Sequence, residues 1–127
     1  MNKAKKVSKN KRSKGNFAEQ IAVNYLKRMD YKVLERNYQK RIGEIDIVSA
    51  QADTIVFVEV KSLTTESILA LEQTISALKK HKLIKICQYW LSEHNKSNAN
   101  WRIDFIGIVV DIYGELRKLK HLPNAIY

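Results

Sequence analysis

The chain of 127 residues has 45% hydrophobic residues and a formal net charge of +10, which is enough apolar material for one modest core and too little for two. One proline, four glycines and no internal repeat exclude a fibrous or wholly disordered protein. Cys87 is the single cysteine, so an internal disulfide is excluded, and no apolar stretch is long enough for a signal peptide or a membrane span. We therefore expect a cytoplasmic protein, with Cys87 packed in the core.

The first 14 residues differ in composition from the rest of the chain. They carry seven lysines and arginines, no acidic residue and almost no apolar residue. We expect residues 1–14 to be a tail that is disordered in isolation and residues 15–127 to form a single domain. Basic arms commonly contact nucleic-acid phosphates without reading sequence, and we assign this contact to Lys5, Lys6, Lys11 and Arg12. One alternative is a cationic extension with no specific partner; a membrane arm is disfavoured, because the tail has too few apolar residues.

Hydrophobic periodicity predicts a helix and three strands after the tail. Helical spacing of apolar residues indicates a helix over residues 16–29, and shorter apolar runs predict strands over residues 31–38, 43–50 and 54–63. A short polar loop joins the second strand to the third, as in a hairpin.

The second half of the chain adds a long helix and one or two strands. The helix is predicted from about residue 74 to residue 94 and has a basic side. A strongly apolar strand follows over residues 101–111, and a weaker one over residues 116–122. The resulting αβββαβ order, with a possible final strand, predicts an α/β fold in which helices flank a mixed central sheet.

Three charged side chains interrupt two of these apolar strands. Asp46 lies in the second strand, and Glu59 and Lys61 lie in the third. An isolated ionised group in a core costs several kcal/mol unless it is paired or binds a metal. Because side chains alternate along a strand, Glu59 and Lys61 share one face, and Asp46 falls opposite Ile45 and Ile47. If the two strands pair, Asp46 and Glu59 converge at one end of the sheet.

Two converging carboxylates predict a site for a hard divalent cation, Mg²⁺ or Mn²⁺. Asp46 and Glu59 would be the ligands, and water and substrate phosphate would fill the remaining positions. Lys61 could orient or deprotonate the attacking water, or neutralise the charge that develops on the phosphate. Glu44 either contacts the metal through water or turns outward where Gly43 loosens the backbone.

The residues Asp46 and Glu59-Val60-Lys61 resemble the catalytic signature of the PD-(D/E)XK nuclease superfamily. A more specific pattern covers roughly residues 15 to 110. It consists of Gly15, Glu19, Ala22, Arg36-Asn37, Gly43-Glu44-Ile45-Asp46, Phe57-Val58-Glu59-Val60-Lys61 and Arg102-Ile103-Asp104. In this order, these segments resemble the YraN family of small bacterial proteins. The resemblance implies a restriction-endonuclease-like fold that is similar to Holliday-junction resolvases.

The resemblance also bears on single positions. It implies that Glu19, on the first helix, assists catalysis at the metal site; the alternative is an exposed helix charge paired with Lys27 or Arg28. The chain departs from the family at Leu63, where an arginine is common, and at Ala18, where a glycine is common. Leu63 removes a possible phosphate contact, which affects substrate affinity more than metal binding.

Two further groups of charged residues have two interpretations each. Lys80 and Lys82 match positions that are commonly basic in the family, so they are candidates for binding nucleic acid, although a charged helix face is often only solvated. Arg102 and Asp104 are in phase on a strand, and a structural ion pair explains them as well as catalysis does.

These features favour a metal-dependent endonuclease that hydrolyses phosphodiester bonds in branched or structured DNA. The alternative is a non-catalytic nucleic-acid-binding adaptor that keeps the nuclease fold. Degraded nuclease folds usually lose a metal carboxylate or the lysine, whereas Asp46, Glu59 and Lys61 are all present. A basic arm binds DNA or RNA, and resolvases of similar fold act as dimers, so a homodimer is a further expectation.

Overall fold

The computed structural model describes residues 17–74 and 77–126, which form a five-stranded mixed sheet with helices. Helix α1 covers residues 17–28, and helix α2 covers Ala77–Glu93. The strands are β1 (Lys32–Lys40), β2 (Gly43–Gln51), β3 (Thr54–Ser62), β4 (Asn100–Val110) and β5 (Leu116–Ile126), and they lie side by side in chain order. All neighbouring pairs are antiparallel except β3 and β4, which are parallel.

The two helices of the described chain pack on opposite faces of the sheet. Phe57 of β3 packs in one cluster with Cys87 and Trp90 of α2. The next residue, Val58, packs in a second cluster with Leu26 of α1. Cys87 is fully buried, as predicted, and burial raises the pKa of its thiol. The central strand β3 is therefore covered on both faces.

The structure confirms the predicted fold class and the αβββαβ order, and it is consistent with a restriction-endonuclease-like fold. The weak final strand is longer than predicted: it continues through Pro123 to Ile126. An edge strand tolerates proline because one side of it has no strand partner. A kinked 3₁₀ segment, Ser67–Thr74, precedes α2 and was not predicted. Neither of the helices described here has the length and apolar character to cross a membrane.

The alternation of side chains along β2 breaks at Asp46. Ile45 packs in the cluster on the α2 side of the sheet, and Ile47 packs in the cluster on the α1 side. The prediction that these two residues share a face is therefore wrong. Asn37, which lies opposite Asp46 in the β1–β2 register, has a φ of 54° and departs from the strand pleat at this point.

A buried polar cluster joins β4 to β5 and α1. Asp104 is fully buried and accepts hydrogen bonds from Arg102 Nε at 2.9 Å, His121 Nε2 at 2.7 Å and the backbone N–H of Asn124 at 2.9 Å. The other ring nitrogen of His121 lies 2.9 Å from Tyr25 Oη. Burial disfavours the ionised form of Asp104, but these hydrogen bonds outweigh it and hold the pKa of the carboxyl below its usual range. The contacts favour the structural interpretation of Arg102 and Asp104.

Replacing Asp104 by alanine should lower the free energy of unfolding by about 3–5 kcal/mol, because Arg102 and His121 would keep their burial and lose their anion. Chemical denaturation at pH 7 measures this loss. The matched control is Arg117→Ala, which removes the exposed partner of Asp111 and should lower the free energy of unfolding much less. A loss for Asp104→Ala as small as that of the control would contradict the prediction.

Candidate metal and phosphate site

Strands β2 and β3 separate at the two predicted metal ligands. Their paired register ends at Ile47 opposite Val58, one residue short of Asp46 and Glu59. In place of a backbone pair, Oδ2 of Asp46 accepts a hydrogen bond of 2.8 Å from the backbone N–H of Val60. The carboxylate of Asp46 is thereby held in the gap between the two strands.

Glu59 meets two lysines from different elements. Its side chain is 12% exposed, and its Oε1 lies 3.6 Å from Lys61 Nζ and 3.5 Å from Lys79 Nζ. Lys79 belongs to α2 and was not among the residues predicted for the site. The signal in the sequence was its position on the basic side of the long helix, but periodicity does not show which lysine of that side meets the sheet. The structure therefore adds Lys79 to the candidate site.

Burial and like charge shift the pKa values of Asp46, Glu59 and Lys61. Burial raises the pKa of Asp46 to about 7, and the negative charge of Glu59 contributes to the rise. Burial also raises the pKa of Glu59, although the positive charges of Lys79 and Lys61 oppose it. Burial lowers the pKa of Lys61. The folded protein therefore disfavours two ionised carboxylates at this gap, and a cation between them would reverse that preference.

The donor set fits a hard divalent cation such as Mg²⁺ or Mn²⁺. Asp46 and Glu59 supply carboxylate oxygens, and such cations commonly take one or two carboxylates and complete their coordination with water and phosphate oxygens. Within residues 17–74 and 77–126, no group of three or more His, Cys, Asp or Glu side chains is arranged to hold an ion. We therefore expect a cation here to bind weakly until a phosphate group completes its coordination.

A shallow cleft of about 270 Å³ opens beside Glu59, and Asp46 is not among the residues that line it. It is lined by Gly43, Glu44, Glu59, Lys61, Lys79, Lys82, Leu83 and Ile86. Of the two helix lysines predicted to bind nucleic acid, Lys82 lines this cleft and Lys80 does not. Glu44 also lines it, and its Oε2 accepts a hydrogen bond of 3.2 Å from Gln39 Nε2. The cleft therefore brings basic and acidic groups of β2, β3 and α2 to one place.

Glu19 lies on the opposite side of the sheet, on α1. It is 6% exposed, and its Oε1 accepts hydrogen bonds from Arg36 Nε at 3.0 Å and Asn37 Nδ2 at 3.1 Å. The alternative interpretation, an exposed helix charge paired with a neighbouring basic residue, is wrong because Glu19 turns inward onto β1. The negative charge of Glu19 also helps to raise the pKa of Asp46. A role for Glu19 in catalysis stays a prediction.

Four predicted contacts with nucleic acid, by Lys5, Lys6, Lys11 and Arg12, lie outside the residues that the structure describes, as does the predicted disorder of the tail. Leu63, the departure from the family pattern, is half-buried and packs against the cluster on the α2 side. Its packing against this cluster explains why an apolar side chain is tolerated there.

The uncharacterised protein family UPF0102 has a family model that matches residues 18–108. A UPF0102 protein of Clostridioides difficile is 37% identical over 116 residues, which cover 91% of this chain and 98% of the relative. A UPF0102 protein of Geobacter metallireducens is 38% identical over 119 residues, with 94% and 96% covered. A third, of Sulfurihydrogenibium, is 39% identical over 115 residues, with 91% and 95% covered. The similarity thus extends over nearly the whole of each relative.

Replacing Asp46 by asparagine should stabilise the metal-free protein at pH 8. Asparagine keeps an oxygen acceptor for the N–H of Val60 and removes a charge that burial and Glu59 disfavour. Because the folded-state pKa of about 7 lies above the ordinary value of 3.8, the contribution of Asp46 to stability falls as the pH rises from 4 to 8. We expect the variant to gain roughly 1–3 kcal/mol at pH 8 and nothing at pH 4, as measured by denaturation in EDTA.

The control for this experiment is Glu66→Gln, which removes an exposed carboxylate outside the cleft. Added Mn²⁺ should raise the unfolding temperature of the wild type and of this control, and should not raise that of Asp46→Asn. Equal stabilisation of all three proteins by Mn²⁺ would contradict a metal site at Asp46.

Proposed function

We propose that this chain, which belongs to the uncharacterised protein family UPF0102, the YraN family, is a Mg²⁺- or Mn²⁺-dependent endonuclease that acts on branched or structured DNA. The observation that carries the proposal is the meeting of Asp46, Glu59 and Lys61 at the gap between β2 and β3. Two half-buried carboxylates with raised pKa values beside a lysine with a lowered pKa are typical of functional sites.

Asp46 and Glu59 would hold the cation. A bound cation would supply Lewis-acid stabilisation of the phosphoryl oxygens and would lower the pKa of a bound water. Lys61, which is within 3.6 Å of Glu59, would orient the attacking water or offset the negative charge that develops on the phosphate. Because burial lowers the pKa of Lys61, it would also release a proton more readily than an ordinary lysine.

The lysines of α2 would hold the substrate backbone. Lys79 and Lys82 line the same cleft as Glu59, so phosphates next to the cleavage position would lie within their reach. Lys80 and the basic tail would contact phosphates farther away, and a net charge of +10 favours a polyanionic substrate. We place this activity in the cytoplasm. A homodimer would suit a four-way junction, because such a junction offers two symmetric cleavage positions.

A non-catalytic adaptor for nucleic acid is the alternative. An adaptor would need the basic surface but would have no use for Asp46 and Glu59, whose burial beside each other is unfavourable without a cation. The presence of both carboxylates therefore favours the enzyme.

Mn²⁺-dependent cleavage should be measured on labelled linear duplex, single strand, flap and four-way junction substrates of shared sequence. The site variants are Glu59→Gln and Lys61→Met, and the matched controls are Glu66→Gln and Lys96→Met, whose side chains are exposed. We expect each site variant to lose at least about 100-fold in cleavage rate while each control stays within about twofold, with DNA binding retained by all.

Two results would count against the endonuclease. Salt-sensitive binding of DNA by the wild type without cleavage of any substrate would favour the adaptor. Cleavage that survives both Glu59→Gln and Lys61→Met would show that these residues do not form the active site.

A further inference from the structure

The hairpin between β4 and β5 presents two neighbouring apolar side chains to solvent. Ile112 is 91% exposed and Tyr113 is 82% exposed. Single exposed apolar residues are ordinary on protein surfaces. An adjacent aliphatic and aromatic pair at the projecting end of a hairpin is a more specific feature, and the proposed chemistry of the carboxylate site does not use it.

The turn that carries this pair is held by hydrogen bonds. Oδ1 of Asp111 accepts from the backbone N–H groups of Tyr113 at 2.9 Å and Glu115 at 3.0 Å, and its Oδ2 lies 3.1 Å from an Arg117 guanidinium nitrogen. The N–H of Gly114 donates to the backbone oxygen of Asp111 at 3.0 Å, and Gly114 takes a φ of 81° that suits glycine. The exposure of Ile112 and Tyr113 is therefore imposed by a fixed turn.

An open cleft of about 450 Å³ extends from this turn to the end of β3. Its lining includes Ser62 and Leu63 on one side and Ile112 on the other. Ser62 directly follows Lys61, whose partner in the parallel register is Gly107. Ile112 is the fifth residue after Gly107, and because β4 ends at Val110 the separation is at most about 16 Å, the length of five extended residues. The distance from Ile112 and Tyr113 to the candidate active site is therefore no more than the length of a few nucleotides.

The basic segment of the sequence joins the described chain close to this turn. The ring of Phe17 packs against Gly114. The contact is close enough that a side chain at position 114 would place its Cβ only 3.2 Å from Phe17 Cζ. Two residues separate Phe17 from the 14-residue segment that carries seven basic and no acidic side chains. Residues 111–120 themselves carry three basic and two acidic side chains. Two exposed apolar side chains close to the attachment point of a strongly basic segment match a ligand that has both phosphates and flat apolar faces.

We propose that Ile112 and Tyr113 bind unpaired nucleobases, with Tyr113 stacking on a base where the two strands of a DNA separate. The proposal rests on the proposed function in taking DNA as the ligand, and it narrows the substrate to DNA with unpaired bases near the cleavage position. Base stacking on an aromatic ring tolerates every sequence. The hairpin would therefore select DNA by structure and not by sequence.

Equilibrium binding of the full chain, measured by fluorescence anisotropy in EDTA, tests this proposal. The probes are a blunt duplex and a forked duplex of the same sequence with single-stranded arms. Tyr113→Ala should weaken binding of the fork by about tenfold and change binding of the duplex by less than about twofold. Tyr113→Phe keeps the aromatic face and should bind like the wild type. Tyr89→Ala, which removes an exposed tyrosine of α2, is the matched control and should also be unchanged.

Several outcomes would overturn the proposal. In the first, Tyr113→Ala weakens binding of the fork and of the duplex equally. In the second, it weakens binding of neither probe. In the third, Tyr113→Phe weakens binding of the fork as much as Tyr113→Ala does. If Tyr113→Ala abolished binding to phosphatidylserine vesicles and left binding of the fork unchanged, Ile112 and Tyr113 would be assigned to a membrane surface instead. Binding in EDTA does not depend on cleavage. A wild type that binds the fork here but cleaves no substrate in the Mn²⁺ assay therefore refutes the endonuclease, while the test of Tyr113 proceeds. A wild type that cleaves in Mn²⁺ but binds the fork no better than the duplex in EDTA refutes the role of the hairpin and leaves the endonuclease standing.

Discussion

The hydrogen bond from the N–H of Val60 to Asp46 replaces a backbone pair between β2 and β3, and the candidate site depends on it. It holds one carboxylate in the gap between two strands, where the charge of Glu59 reaches it. For the metal-free protein this arrangement is unfavourable, because burial and like charge both oppose ionisation. A cation bound there would reverse this preference, because its positive charge would stabilise the ionised carboxylates.

The topology decides which charges meet at the gap. Strand β3 is third of five and covered on both faces, so its neighbours above and below come from different helices. The parallel pairing of β3 with β4 requires a crossover, and that crossover contains α2. As a result, Lys79 contacts Glu59 from one side of the sheet. On the other side, α1 directs Glu19 to Arg36 and Asn37 of β1.

Much of the fold could be predicted because its strands have strong local patterns. Asp46 and Glu59 were visible for the same reason, since a charge within an apolar run stands out in the sequence. Lys79 could not be assigned to the site, because its contact depends on where the crossover places α2. The face of Ile45 could not be predicted either, because the alternation along β2 breaks at Asp46, opposite the irregular backbone of Asn37 on the neighbouring strand. Local periodicity contains no information about such contacts between elements.

Asp46 on β2 is half-buried and Asp104 on β4 is fully buried; the two carboxylates flank the same central strand, yet their pKa values shift in opposite directions. Asp104 receives hydrogen bonds from Arg102, His121 and a backbone N–H, and its ionised form is stabilised within the protein. Asp46 accepts one backbone hydrogen bond and faces the charge of Glu59. This fold can therefore satisfy a buried carboxylate completely where it serves the structure. At Asp46 it does not, which is the pattern expected where the balancing charge comes from a bound ligand.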